Sequence, residues 1–525
     1  MYNIPLLALV CGFLFSIYRF IVYPTFLSPL ARIPNSHFTA SFSPLWILWK
    51  RYRGAENKAI HDAHVKYGPI VRVGPNDIDV NCVEGGIKTI ASFEKPNWYP
   101  NAFMNFGVTN MFSMTGSKQH SIRKRIISNI YSKSYLQSSD ELHRIANIII
   151  YTRYLPVLDS LAKARTSVDV HELNFAVTMD NITAYIFGLC NGSNFIQDIK
   201  ARKHFLQDYH CRRPYQFYGQ ELPGLTKMLS RIGIRLVPKW SDEATQRVEN
   251  FCLQMCNAAR ASIESNTTPS SENTPTVYKH LYHSLSPKSD QPPSSASPDS
   301  NLLIASEIFD HIAAGHETSG VALTYAIYSL SQHPTLQASL RAELLTLSPP
   351  IIYSPSSQTQ TSLPSPRSID TLPLLHAILM ETLRLYAPIP GPQPRITPHT
   401  PASLANSLPL PPNIRVSAQA YSLHRNPTVF PSPENWDPSR WTSASKPELE
   451  EMNRWFWAFG SGGRMCVGSK FAMQEMKLLL ATIYSGYRTS LVDASGIAMK
   501  DTYTSGPEGG RLIVRFEYAS ESAKS

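Results

Sequence analysis

The strongest periodic signal in the chain is the run from Leu302 to His333, largely apolar at helical intervals and halted by Pro334, which predicts one long buried helix. Helical spacing returns over Leu374 to Tyr386 and over Ser469 to Tyr484, where Phe471, Ala472, Met476, Leu479, Leu480 and Ile483 recur on one face. Strand-like alternation is scarce. It is clearest in Ile70 to Val73 and Ile78 to Val80, which flank Pro75-Asn76 and predict a hairpin, with a last core strand expected near Phe516. The pattern as a whole predicts a mainly α fold with a small β component. Two stretches, Ser265 to Ser300 and Ser348 to Ser368, are rich in Ser, Pro and Thr and read as mobile surface loops. Cys252 and Cys256 share a helix face and are expected to point into the core.

At the N-terminus, Ile4 to Tyr18 is almost wholly apolar, Arg19 interrupts, and Phe20 to Leu27 resumes. Together they approach the ~20 residues that span a bilayer. Arg19 can snorkel to the interface. No small-residue cleavage site follows, so residues 1–34 are expected to form a retained single-pass anchor with a hinge at Pro24, Pro29 and Pro34. Arg32, Lys50, Arg51, Arg53 and Lys58 all follow the apolar run, which places the body on the cytosolic side.

The net charge of +10 is spread along 525 residues without a basic block or aromatic platform, which argues against nucleic acid as a partner. An acidic redox partner or anionic lipid suits it better. Seven cysteines at irregular spacing do not form a disulfide framework.

One cysteine stands apart. Phe459-Gly-Ser-Gly-Gly-Arg-Met-Cys466-Val-Gly468 offers a thiol from a glycine-rich loop just ahead of a helix. The glycines let backbone approach a flat cofactor, Phe459 can cover the sulfur, and the helix N-terminus is expected to favour the thiolate. Arg464 can reach a cofactor carboxylate with its fork of donors.

This stretch resembles the haem-binding signature of the cytochrome P450 monooxygenases, matched at Phe459, Gly462, Arg464, Cys466 and Gly468. Three further segments follow the family's order. Ala314-Gly315-His316-Glu317-Thr318-Ser319 resembles its oxygen-activation segment. By that resemblance Ala314, Gly315 and Thr318 shape an oxygen pocket, while Glu317 and Thr318 deliver protons; His316 is expected to pack. Glu381 and Arg384 resemble the Glu-x-x-Arg pair. The stretch Phe430 to Trp441 resembles the segment whose arginine, here Arg440, completes a buried structural network, with Trp436 where Phe is usual.

Haem propionates require cations, and the candidates are His120, Arg123, Lys124, Arg125 and Arg395. His120-x-x-x-Lys124 stands where the family often has Trp-x-x-x-Arg, so Arg123 or Arg125 could substitute for Lys124. The resemblance implies a P450 fold over residues 35–525, one catalytic domain behind the anchor. It also implies haem b with Cys466 as axial ligand, O2, and NADPH supplied through a separate NADPH-cytochrome P450 reductase, with cytochrome b5 as a possible second donor. With the last core strand expected near Phe516, flavin domains are not expected in this chain. The membrane is expected to be the endoplasmic reticulum.

Phe103, Phe106, Phe112, Phe309, Ile389, Pro390 and Tyr503 are the expected pocket lining, apolar and aromatic. A lipophilic polyketide, terpenoid or alkaloid intermediate suits it, and Ser28 to Pro34 resembles filamentous-fungal members that serve secondary metabolism. Two other classes stay open: a reductase-independent haem-thiolate isomerase or dehydratase, whose members often lack the acid-Thr pair, and a non-catalytic haem-binding descendant.

Overall fold

The computed structural model describes residues 3–265, 269–285, 300–353, 362–405 and 408–519. Its axis is the helix Ser300–Ser331, in which Ile304, Ile308, Ile312, Leu323, Ile327 and Leu330 are all buried. One continuous apolar core joins it to the helices Val170–Phe187, Pro373–Leu385 and Ser469–Gly486. Val170–Phe187 is buried along nearly its whole circumference, as expected of a helix enclosed by others. Its approach to the central helix depends on two glycines. A Cβ on Gly315 would lie 2.7 Å from Ile182, and one on Gly320 would lie 2.2 Å from the Phe175 ring.

The expected hairpin is present: Ile70–Gly74 pairs antiparallel with Asp77–Val80, Ile70 opposite Val80. Arg415–Ser417 joins parallel to the second strand, and Arg395–Ile396 pairs antiparallel with Arg415–Ser417, which completes a four-stranded sheet and fixes Arg395 at its edge. A second sheet, of Ser167–Asp169, Ile513–Tyr518 and Tyr487–Asp493, contains the strand expected near Phe516.

Three expectations are corrected. Within Ser265 to Ser300, expected to be a loop, Thr276–Leu285 is a helix that buries Val277, Tyr278 and Leu281; residues 266–268 and 286–299 lie outside the described residues. Within Ser348 to Ser368, Ile351 and Leu363 are buried and Pro366–Asp370 is helical, while 354–361 lie outside the described residues. The third is the proline hinge. Helix Asn3–Ile17 continues as a wider π-helical segment, Tyr18–Leu27, giving a 23-residue apolar span, Pro5–Leu27, long enough to cross a bilayer. Its end is fastened rather than free. The Arg72 guanidinium donates to the carbonyls of Pro24 at 2.7 Å, Pro75 at 2.7 Å and Ser41 at 3.1 Å, Thr25 and Ser41 share a hydrogen bond at 3.0 Å, and Leu30 and Ile33 are buried.

Candidate active site around Cys466

The loop ahead of Ser469–Gly486 is shaped by glycine and closed by its own backbone. Gly460 and Gly462 hold φ of +66° and +65°, a region costly to other residues, and the Cys466 amide donates to the Phe459 carbonyl at 2.9 Å. A Cβ on Gly462 would also sit 3.2 Å from that of Ala91. Lys124 braces the loop from the basic helix Ser117–Ser128, its Nζ donating to the carbonyls of Gly463 at 3.0 Å and Met465 at 2.9 Å. Cys466 is exposed as a residue, yet burial of its sulfur dominates the chemistry and pushes the thiol up. The amides of Gly468 and Ser469 and the charge of Lys124 oppose that without reversing it. The helix N-terminus alone therefore does not secure the thiolate expected from the sequence. A coordinated metal ion would, because it deprotonates a thiol outright.

In its middle third the central helix is accessible along one stripe: Asp310, Ala313, Ala314, Gly315 and Thr318 are accessible, while Phe309, Ile312, His316, Glu317 and Ser319 are not. Asp310, Ala314 and Thr318 recur every four residues and so face one way. Asp310 contributes to raising the Cys466 thiol, so the two groups are near enough for their charges to interact. Thr318 Oγ1 donates to the Ala314 carbonyl at 2.8 Å. Glu317 turns to the neighbouring helices, accepting from the Tyr209 hydroxyl at 2.9 Å and ion-pairing with Arg213. The side on which Gly315 lacks a side chain faces Ile182, so its demonstrable role is helix approach, a correction to the expectation that it opens an oxygen pocket. His316 packs as expected, buried among the rings of Phe175, Phe205 and Tyr209.

The cations gather around His120. His120 is held down to about 3, first by burial and then by Arg464, Lys95, Lys124 and Arg395, so these five groups share one neighbourhood. Lys95, which sequence reasoning missed, is buried and donates to the Phe112 carbonyl at 2.6 Å, with its ammonium 3.9 Å from the Phe112 ring centre and 4.0 Å from that of Tyr99. Arg464 donates to the carbonyls of Met114 at 2.8 Å and Thr115 at 2.7 Å. Arg395 donates to the Tyr99 hydroxyl at 2.9 Å and keeps a buried Nε with no partner. Carbonyls and a phenol, never a carboxylate, take the hydrogen bonds these cations make among the described residues. A convergence of basic groups whose charged forms burial and mutual repulsion disfavour, with no carboxylate bonded to them, fits a dianionic group such as the two haem propionates, which would restore their charge. Arg123 is corrected out of this set: it lies 3.5 Å from the buried Glu307 on the central helix. Arg125 is exposed.

Behind the loop lies a buried network. Glu381 and Arg384, both fully enclosed, pair through two hydrogen bonds of 2.9 and 2.7 Å. Glu381 also accepts from Arg440 at 3.1 Å, the Trp441 indole at 3.0 Å and the Asp437 amide at 3.0 Å. Arg384 donates to the carbonyls of His424, Pro433 and Asn435. Trp436, the aromatic variant, hydrogen-bonds Thr382 at 3.2 Å. His424 connects network and loop: Nδ1–H donates to the Arg384 carbonyl at 2.8 Å and Nε2 accepts from the Trp457 amide at 2.7 Å. No sequence signal marks this histidine.

Of the expected pocket residues, Phe103, Phe112 and Tyr503 form one cluster, with Phe103 4.9 Å from each of the other two rings. Phe106 packs edge-on against Phe309 at 6.3 Å, and Phe309 itself is buried. Ile389 is half-buried and Pro390 buried, in the segment leading to Arg395.

Comparison with known proteins agrees with this geometry. The Cytochrome P450 family model matches residues 41–512. The chain is 29% identical over 437 residues to cytochrome P450 monooxygenase avaI of Aspergillus versicolor, covering 80% of this chain and 96% of that protein. It is 24% identical over 522 residues to cytochrome P450 monooxygenase FGM1 of Gibberella zeae, covering 98% and 96%. Among solved structures, the cytochrome P450DA heme domain superposes with a TM-score of 0.68 at 17% identity, over 93% of this chain and 97% of that one. A cysteine loop near an accessible helix stripe, flanked by basic groups with no carboxylate bonded to them, in a chain matched along nearly its full length, identifies a member of the cytochrome P450 family and a monooxygenase.

Proposed function

We propose that this enzyme inserts one oxygen atom from O2 into a lipophilic secondary metabolite, a polyketide, terpenoid or alkaloid intermediate. Its electrons come from NADPH through a separate reductase, and cytochrome b5 is a candidate second donor. The reading is supported by the glycine-shaped Cys466 loop braced by Lys124, the accessible Ala314–Thr318 stretch of the central helix, and the basic groups gathered around His120. Bound haem would supply an iron at which dioxygen is reduced and split, and Cys466 is the residue that would hold that iron. Arg395, Arg464, Lys95 and His120 would hold its propionates. Lys124 keeps the loop in shape, and Phe459 covers the sulfur side.

The chain's own part in the chemistry is proton handling and orientation. Thr318 offers a hydroxyl on the accessible stripe. Glu317, one position earlier and held by Tyr209 and Arg213, is the acid that can pass protons inward once Arg213 releases it. Phe103, Phe112 and Tyr503 supply apolar walls that orient a lipophilic substrate. The anchor and the cations that follow it fit an endoplasmic reticulum protein with a cytosolic body. A depression of about 520 Å3 beside the cysteine loop, lined by Trp457, Phe459 and Met465 with Lys470 among its residues, is where a reductase could approach.

The test is a Cys466→Ala variant of the full-length protein. Loss of the thiolate-type reduced carbon monoxide spectrum and of NADPH- and reductase-dependent turnover is the expected result; retention of both overturns the proposal. Turnover by the unaltered enzyme without NADPH or reductase would instead establish an isomerase or dehydratase, a class that the Glu317–Thr318 pair disfavours.

A further inference from the structure

Between Phe103 and Met111 the backbone makes a turn that one of its residues does not suit. The Val108 amide donates to the Asn105 carbonyl at 2.8 Å, and the Asn105 amide to the Val108 carbonyl at 3.3 Å. Phe106 and Gly107 form the two-residue turn between them, at φ of +53° and +70°. Such a turn selects Asn, Asp or Gly at both central positions, because in the left-handed region a Cβ crowds the following carbonyl. Gly107 meets that requirement and Phe106 does not. A backbone outlier of this kind persists only where its surroundings impose it.

The surroundings here are two helices. From helix Lys239–Glu264, the half-buried Glu249 accepts from the Phe106 amide at 2.6 Å, and a carboxylate is the strongest acceptor that the chain can offer a single amide. From the central helix, the Ser306 hydroxyl donates to the Val108 carbonyl at 2.7 Å, the Ser306 carbonyl accepts from the Asn105 side-chain amide at 3.4 Å, and Glu307 accepts from the Met111 amide at 3.0 Å. The helices meet at that level: Cys252, one turn beyond Glu249, is buried with its sulfur 3.9 Å from the Ala305 carbonyl. Ser306 and Glu307 thus fasten the flanks of the turn, and Glu249 bonds the strained residue itself. What this arrangement secures is a ring. Phe106 lies edge-on to Phe309, 6.3 Å between centres, and Phe309 immediately precedes Asp310, where the accessible stripe begins. The same stretch starts at Phe103, a wall of the proposed pocket, whose carbonyl accepts from the Asn110 side chain at 2.7 Å.

We propose that Glu249 is a positioning residue: it holds Phe106 in the left-handed turn, fixes the Phe106 ring against Phe309, and so narrows the substrate space at the Asp310 end of the stripe. This rests on the lipophilic-pocket reading above and adds a limit of shape to it. Slender molecules are admitted and broad fused-ring ones are turned away. Without Glu249 the turn relaxes to negative φ at residue 106 and the ring leaves Phe309. Glu249 itself touches no substrate.

The test uses purified full-length holoenzyme, the variants Glu249→Ala, Glu249→Gln and Phe106→Asn, and the double variant combining Phe106→Asn with Glu249→Ala. Hydrogen–deuterium exchange reads the turn without any ligand. Glu249→Ala should speed exchange over residues 105–108 by about tenfold, Glu249→Gln, which keeps an acceptor, by much less, and adding Glu249→Ala to Phe106→Asn should change little, because Asn suits the turn unaided. Exchange over Val170–Phe187 should stay the same; equal acceleration there marks a general loss of fold and overturns the proposal. Equilibrium dialysis against slender hexylbenzene and broad pyrene reads the pocket. The ratio of pyrene to hexylbenzene affinity should rise about fivefold in Glu249→Ala, stay near the parent's in Glu249→Gln, and rise equally in Phe106→Asn and the double variant. A solvated surface carboxylate would move neither readout. Unaltered exchange in Glu249→Ala overturns the proposal, as does faster exchange with an unchanged ratio, or a further rise when Glu249→Ala is added to Phe106→Asn. Failure of both probes to bind any of the proteins would strike the lipophilic-pocket reading instead, while the exchange result would still judge the hold of Glu249 on Phe106.

Discussion

At the scale of single residues, the site depends on groups that never touch the reacting atoms. Glu381, fully buried, accepts five hydrogen bonds from Arg384, Asp437, Arg440 and Trp441, so Glu381→Gln leaves the enclosed Arg384 guanidinium without its counter-charge. The expected loss is about 3–5 kcal/mol, read as a lower denaturation midpoint and poor haem loading; a stability within error of the parent would contradict it. His424 carries a pH signature. Its two bonds require a neutral ring, and burial, with help from Arg384 and Arg425, depresses it from 6.5 to about 3. The unfolded chain takes up this proton below about pH 6.5 and the folded protein only near 3, so the contribution is intact above 6.5 and is lost as pH falls toward 3. The stability gap between the parent and His424→Gln should therefore narrow as the pH drops from 6.5 to 4.5; a constant gap refutes the assignment. Lys124→Met makes a third case. Removing the two bonds to the Gly463 and Met465 carbonyls should quicken haem loss to apomyoglobin, a change that a solvated surface lysine would not produce.

At the scale of elements, the packing of Val170–Phe187 against Ser300–Ser331 is the joint most sensitive to added volume. Gly315→Ala forces a methyl into Ile182 at 2.7 Å and should cost about 1–3 kcal/mol. Measured in an Ile182→Ala background the same change should cost much less, and a double-mutant cycle showing no coupling would disprove the contact. Much at this scale was readable from residue order alone. Long apolar periods bounded by Pro334 and by Gly468 end within about two residues of the observed helices, because burial on several sides leaves few other ways to satisfy such runs. The helix Thr276–Leu285 escaped notice because three buried side chains within a polar, proline-rich neighbourhood make too short a period to stand out. In the site, the four motifs were legible as local strings. Lys95 and His424 were not, because each acquires its meaning from partners remote in sequence: Lys95 from Arg395, and His424 from Arg384 and Trp457, 40 and 33 residues away.

At the scale of the whole molecule, the apolar N-terminal helix, long enough to cross a bilayer, is tied directly to the enzyme body. Arg72 is 1% exposed, and burial draws its guanidinium down to about 10 while four backbone carbonyls, one of them Pro24 in the span, share its donors. Arg72→Met should leave the protein in the membrane fraction yet make the junction near residues 24–41 more readily cut by protease; unchanged cleavage would show that the grip is not limiting. That grip has a consequence for how the enzyme sits. A span that leans to match bilayer thickness cannot lean alone. With the membrane placement proposed above, a thinner or thicker lipid film would roll the catalytic body along with the helix, and the angle at which an oily guest meets the protein would be set partly by the surrounding lipids.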